Sequence, residues 1–123
     1  MGKLVALHLK MIVTIVDGGT GQDVVDFSKE AGAVGGTILH GRGSGVHDAG
    51  KFFGLDIQPE KDIVLTLVPA EMELTVMEAI GKGIKIDKPA NGICFSVDID
   101  KAMGITSIKS FGETKTMDEL NQE

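Results

Sequence analysis

Apolar and polar positions fall into two halves with one rhythm. Leu9-Lys-Met-Ile-Val-Thr-Ile-Val16 is a β-branched run and predicts a strand. Asp17-Gly-Gly-Thr-Gly21 breaks it, and Thr20 with Asp23 three residues on resembles a capping box, which predicts a helix through about Gly32. Val24, Phe27, Ser28 and Ala31 share one face of that helix, with Asp26, Lys29 and Glu30 turned outward. Gly36-Thr-Ile-Leu-His40 predicts a second strand. The second half repeats the order. Asp62-Ile-Val-Leu-Thr-Leu-Val68 predicts a third strand, and Pro69 suits the first turn of a helix, where its missing N–H costs nothing. That helix is expected to bury Met72, Val76, Ala79 and Ile80 and to close at Gly81 and Gly83. Asn91-Gly92 is a turn signal leading into Ile93-Cys-Phe-Ser-Val97, the fourth strand. The order β-α-β-β-α-β predicts an α+β fold, the ferredoxin-like sandwich.

Helices can cover only one face of such a sheet. Alternate positions place Met11, Val13, Ile15, Ile63, Leu65, Leu67, Ile93, Phe95 and Val97 on one face, and Ile12, Thr14, Val16, Val64, Thr66, Val68, Cys94 and Ser96 on the other. Neither set holds a charge, whereas a sheet face open to water alternates toward polar residues. The second face is therefore expected to be covered by another subunit, which predicts a homo-oligomer.

Between Gly41 and Glu60 lies a connection near twenty residues long, a length that marks functional or disordered loops. Phe52, Phe53, Leu55 and Ile57 give it a docking character, because solvent-filled loops seldom carry so many large apolar groups, and Lys51, Phe52, Phe53 and Leu55 are the expected partner-binding residues. Gly45-Val-His-Asp-Ala-Gly-Lys51 satisfies the first seven positions of a phosphate-binding loop pattern, but Phe52 stands where a Ser or Thr should hold magnesium. The alternating glycines of Gly41-Arg-Gly-Ser-Gly45 could bring main-chain N–H groups to an anion, or could be a plain exit from the strand.

Composition narrows the function classes. Seventeen glycines in 123 residues are roughly twice the ~7% norm, and eight of them lie between Gly32 and Gly54. Twelve basic against eighteen acidic residues give a net charge of −6, and Arg42 is the sole arginine, so the basic stripe of a nucleic-acid binder is missing. Cys94 alone excludes an internal disulfide, and no apolar run approaches a membrane span. The start is too short and polar for a signal peptide, so a cytoplasmic protein without membrane insertion is expected. His8, His40, His47 and Asp48 are the candidate metal ligands, but His40 and His47 lack the i, i+4 spacing of a helical site. No Ser-His-Asp pattern or likely acid pair points to an enzyme. Asp17 and Asp62 read as solvated strand ends, and the last dozen residues as a frayed tail.

Three stretches in the right order carry a family likeness. Ala31-Gly-Ala-Val-Gly-Gly-Thr-Ile-Leu-His-Gly-Arg-Gly43 resembles the second strand and T-loop start of the nitrogen-regulatory P-II signalling family and its P-II-like relatives. Val68-Pro-Ala-Glu-Met-Glu-Leu-Thr-Val-Met-Glu-Ala-Ile80 is similar to that family's second helix, and Asn91–Val97 to the end of its B-loop and fourth strand. The resemblance implies one domain over 1–123, with a core at about 9–106, a T-loop at about 42–60 and a C-terminal tail at about 110–123. It implies a non-enzymatic homotrimer that needs no cofactor, binds an adenine nucleotide between subunits, and signals through its T-loop to a partner such as a membrane transporter. The matching ligand positions are Thr37, Gly41, Gly43, Val64, Ala90, Asn91 and Gly92, with Arg42 and Lys88 as nearby cations. The chain also departs from the pattern. The family's T-loop glutamine falls at Gly45, its B-loop lysine at Ile93, and two C-terminal arginines near Gly104 and Thr106. Without those cations a triphosphate loses several charge-assisted bonds worth roughly 1.5–3 kcal/mol each, so among ATP, ADP, AMP and cyclic nucleotides the less charged ones are favoured. Arg42, Lys85, Lys88 and Lys101 are the available substitutes. With no tyrosine, the modified T-loop tyrosine of nitrogen-sensing members has no counterpart. The rival reading is a metal-binding trimeric stress or tolerance protein of the same fold.

Overall fold

The computed structural model describes residues 4–43, 51–52, 55–56, 59–104 and 114–122. The chain begins with β1 (Leu4–Asp17), α1 (Gly21–Glu30) and β2 (Thr37–Arg42). A short hairpin follows, β3 (Lys51–Phe52) against β4 (Leu55–Asp56), inside what the sequence presents as plain loop. Then come β5 (Glu60–Pro69), a 3₁₀ turn at Ala70–Met72, α2 (Glu73–Ile84), β6 (Ile93–Ala102), β7 (Thr114–Thr116) and α3 (Met117–Asn121). The expected β-α-β-β-α-β order is present.

The main sheet is antiparallel in the order β2-β5-β1-β6, with β7 joined to the first residues of β1. Its register aligns Leu39, Ile63, Ile15 and Ile93 in one row and Thr37, Leu65, Val13 and Phe95 in the next. The helices lie on the opposite face, where Ile12, Val16, Val64 and Val68 pack with Val24, Val25, Val76, Ile80 and Ile84. The face left without helices is thus that of Met11, Ile15, Leu65 and Phe95. On it Leu39, Ile93, Phe95 and Val97 remain 39–55% exposed, which is costly for a surface in permanent contact with water.

Several boundaries differ from the sequence expectation, each for a local reason. Pro69 ends β5 instead of opening a helix, because the 3₁₀ turn intervenes. Gly81 and Gly83 lie inside α2. Gly83 lets α2 approach α1, since a Cβ there would sit 2.2 Å from Phe27 Cδ2. The helix closes two residues after Gly83, at Lys85, in a left-handed conformation with φ 56°, and Ile86 N–H donates back to the Gly81 carbonyl at 3.0 Å. Thr20 precedes α1 but its side chain makes no cap hydrogen bond, so the capping box is not formed. The tail is not frayed: Thr114–Thr116 pairs with Leu4–Ala6, and Thr116 caps α3 by accepting from Glu119 N–H at 3.1 Å. β1 starts at Leu4 instead of Leu9 because β6 pairs with it as far as Ala6 and β7 pairs with Leu4–Ala6. The added rungs bury Ala6 and Leu9 against Leu67, Ile99 and Ala102.

Candidate functional site

Thr37, Gly41 and Arg42 lie on β2, the edge strand, and Gly43 directly follows it. Gly41 pairs with Lys61 and Arg42 with Glu60, while Gly43 N–H donates to the Pro59 carbonyl at 3.2 Å. Neither glycine is left-handed, so these residues prolong the ladder and form no anion nest. Ser44 and Gly45 lie outside the described residues. Beside Thr37, a cavity of about 320 Å³ is lined by Met11, Val34, Gly35, Gly36, Leu65 and Leu67. The side chain of Val64 is fully buried on the helix side, so at this position only the main chain of β5 faces the neighbouring strands. Strand alternation puts its neighbour Leu65, and Leu67 beyond, on the open side instead.

Lys88, Ala90, Asn91 and Gly92 occupy the turn from α2 to β6. Asn91 Nδ2 donates to the carbonyls of Ile84 and Lys85, at 3.0 and 3.1 Å, which satisfies the orphan end of α2. Gly92 has φ 146°, and a Cβ on it would lie 2.8 Å from the Ile15 carbonyl oxygen, so the turn is pressed against β1. Both residues shape the turn before they could serve a ligand. The turn feeds one edge of the sheet and Thr37–Gly43 forms the other. Three strand spacings, about 14 Å, separate those edges within one chain. One copy therefore does not bring the two groups together.

A second arrangement was not legible in the sequence. Asp62, expected at a solvated strand end, is 5% exposed. Its Oδ2 accepts from the N–H groups of Gly19 and Gly21, both at 2.9 Å, and so does the work Thr20 does not at the start of α1. Its Oδ1 lies 3.0 Å from His40 Nδ1. The Gly21 amide above all, with the His40 and Gly19 bonds, outweighs burial and holds the Asp62 carboxyl below its ordinary pKa. A cavity of about 570 Å³ opens here, lined by Gly18, Gly19, His40, Gly41, Arg42, Glu60, Lys61 and Asp62. No local pattern foretold it, because Asp62's partners are main-chain groups some forty residues away. Asp17, the other expected strand end, pairs with Lys61 at 2.9 Å.

Other candidates are placed as follows. Among the described residues no group of three or more His, Cys, Asp and Glu side chains could hold a metal ion. His47 and Asp48 lie outside those residues, as do Gly45–Gly50 of the phosphate-loop-like run and Phe53. Of the expected partner-binding residues, the backbones of Lys51, Phe52 and Leu55 form the β3–β4 hairpin. Burial pushes the Cys94 thiol pKa up, and Thr14 Oγ1 donates to its sulfur, which makes it a packing group and not a nucleophile. No helix among the described residues is long and apolar enough to cross a membrane.

No family model and no curated protein matches the chain. Solved structures do match. The PII protein of Arabidopsis thaliana bound to citrate is 19% identical, with a TM-score of 0.65 over 89% of this chain and 90% of that one. CPII, a nitrogen regulatory PII-like protein from Thiomonas intermedia K12 bound to ADP, AMP and bicarbonate, is 23% identical, with a TM-score of 0.60 over 84% of this chain and 100% of that one. At these identities the likeness establishes the fold, the ferredoxin-like PII architecture.

Proposed function

We propose that this chain is a divergent P-II-like regulator, non-enzymatic and trimeric, that binds an adenine nucleotide in clefts between copies of itself. The observation that carries the reading is the split site. Thr37–Gly43 and Lys88–Gly92 occupy opposite sheet edges, and the face between them is apolar, uncharged and uncovered. Packing those faces together would bury Leu39, Ile93 and Phe95 and bring the β2 edge of one copy near the α2–β6 turn of another. The apolar groove beside Thr37 suits a flat ring, and the scarcity of cations suits a ligand with few phosphates, such as AMP, ADP or a cyclic nucleotide. The fold relatives named above hold ADP and AMP in one case and citrate in the other. The connection 43–59 leaves from the β2 side of this cleft and is the segment that would report occupancy to a partner protein.

A thermal-shift panel of ATP, ADP, AMP and cyclic AMP tests the reading. A ligand at a hundred times its dissociation constant should stabilise the fold by about 2.7 kcal/mol. Gly43→Val should abolish that shift without unfolding the chain, because a Cβ at Gly43 meets nothing within 4 Å. Absence of any shift with all four compounds refutes nucleotide sensing. Stoichiometric copper or zinc binding that depends on His40 or His47 would install the metal-binding rival in its place.

A further inference from the structure

We propose that the His40–Asp62 contact is a proton-sensitive clasp that holds together the two strand ends from which the 43–59 connection departs and ties both to the start of α1. His40 and Asp62 face each other in the β2–β5 ladder, followed by the Gly41–Lys61 and Arg42–Glu60 pairs and the Gly43–Pro59 hydrogen bond. Asp62 Oδ2 is committed to the Gly19 and Gly21 amides, which leaves Oδ1 for His40. A carboxylate can only accept, so His40 Nδ1 carries the hydrogen. One carboxylate thus joins the last turn of β2, the first of β5 and the β1–α1 corner.

Protonating His40 turns a neutral donor into a charged one opposite a fixed anion, and such bonds are stronger. Because two amides keep Asp62 ionised into acid, the clasp is tight while His40 carries a second proton, looser without it, and lost only when Asp62 itself is protonated. The other charged groups around it are Arg42 on β2, Glu60 and Lys61 on β5, Asp17 of β1 in its pair with Lys61, and Asp23 in the first turn of α1. Among the described residues of this cluster His40 is the only imidazole. The clasp acts on the strand ends directly and does not depend on what the intersubunit cleft binds.

The test follows the Gly19 and Gly21 amide resonances, and amide hydrogen exchange over 37–43 and 59–64, from pH 5.5 to 8 after correction for intrinsic rates. His40→Gln is compared with His8→Gln and His47→Gln. His40 is 81% exposed, so His40→Gln should fold. In the wild type the two glycine amides should shift in phase with the His40 ring, and the strand-end amides should exchange about two- to fivefold more slowly with His40 protonated. His40→Gln should flatten both responses, and the other two variants should keep them. An unchanged pH profile in His40→Gln, or strand ends indifferent to pH while His40 titrates, overturns the proposal.

Discussion

Replacing Asp62 with alanine removes a buried carboxylate whose one oxygen serves two main-chain N–H groups. Gly21 is buried, so its amide cannot turn to water for compensation. A hydrogen bond to a charged group contributes about 1.5–3 kcal/mol, and two bonds sharing one acceptor are not additive, which places Asp62→Ala at roughly 2–4 kcal/mol. For a chain of this size that corresponds to a fall in Tm on the order of 10 °C. Asp62→Asn keeps a carbonyl oxygen for the same amides and loses only charge, so it should cost about half as much. The pH dependence follows from the direction of the shift. Asp62 binds its proton less readily folded than unfolded, so its contribution is fully present above the unfolded value of about 3.9 and lost as pH falls through the lower folded value. Urea unfolding at fixed protein concentration between pH 3 and 7 should therefore show wild type and Asp62→Ala far apart at pH 7 and converging in acid. A difference under about 0.5 kcal/mol at pH 7, or one that stays constant to pH 3, refutes the capping role; that threshold is the ordinary size of a surface substitution.

Three further outcomes can be measured in the same way. Thr66 Oγ1 is buried with no hydrogen-bond partner among the described residues, so Thr66→Val should raise stability by about 1–2 kcal/mol in urea unfolding, and a loss would mean that a water satisfies the hydroxyl. Gly83→Ala places a methyl 2.2 Å from Phe27; overpacking of about 1–3 kcal/mol should exceed the ~1 kcal/mol gained in helix propensity, and a more stable variant would show that Phe27 moves freely. Phe95→Glu puts a charge on the open sheet face, where Phe95 is 41% exposed. The fold should survive by circular dichroism while the mass by light scattering falls to that of a monomer. A wild-type monomer, or an unchanged mass in the variant, removes that face from the interface.

The strands were legible because β-branched runs dominate them, and the helices because Val24, Phe27, Ser28 and Val76, Ile80 recur at helical spacing. The choice between the two sheet faces was not. Met11–Ile15 and Ile12–Val16 are equally apolar, and only the path of the helices decides which is covered. The grouping itself was legible, since Ile12, Val16, Val64 and Val68 fall on one face by alternation and are found together in the core. The α2–β6 turn showed itself as Asn91-Gly92, but its tightness against the Ile15 carbonyl is a fact of three dimensions. Asp62 and the β1–β7 pairing were hidden for a common reason: their partners are backbone groups remote in sequence, and main-chain donors look alike at every position.

The pairing of Thr114–Thr116 with Leu4–Ala6 has a consequence for how the molecule is made. Some 110 residues separate the two partners, so the contact closes a long loop and is entropically late. On the ribosome, the first rungs of β1 cannot find β7 until Thr114–Thr116 has emerged. Until then an apolar strand end stays open to other nascent chains. A fusion at the C-terminus would keep Thr114–Asn121 near its exit from synthesis without removing it, whereas deletion after Ala102 would leave Val5 and Ala6 uncovered for the life of the protein. Thr114–Thr116 is in this sense the closing stitch of β1.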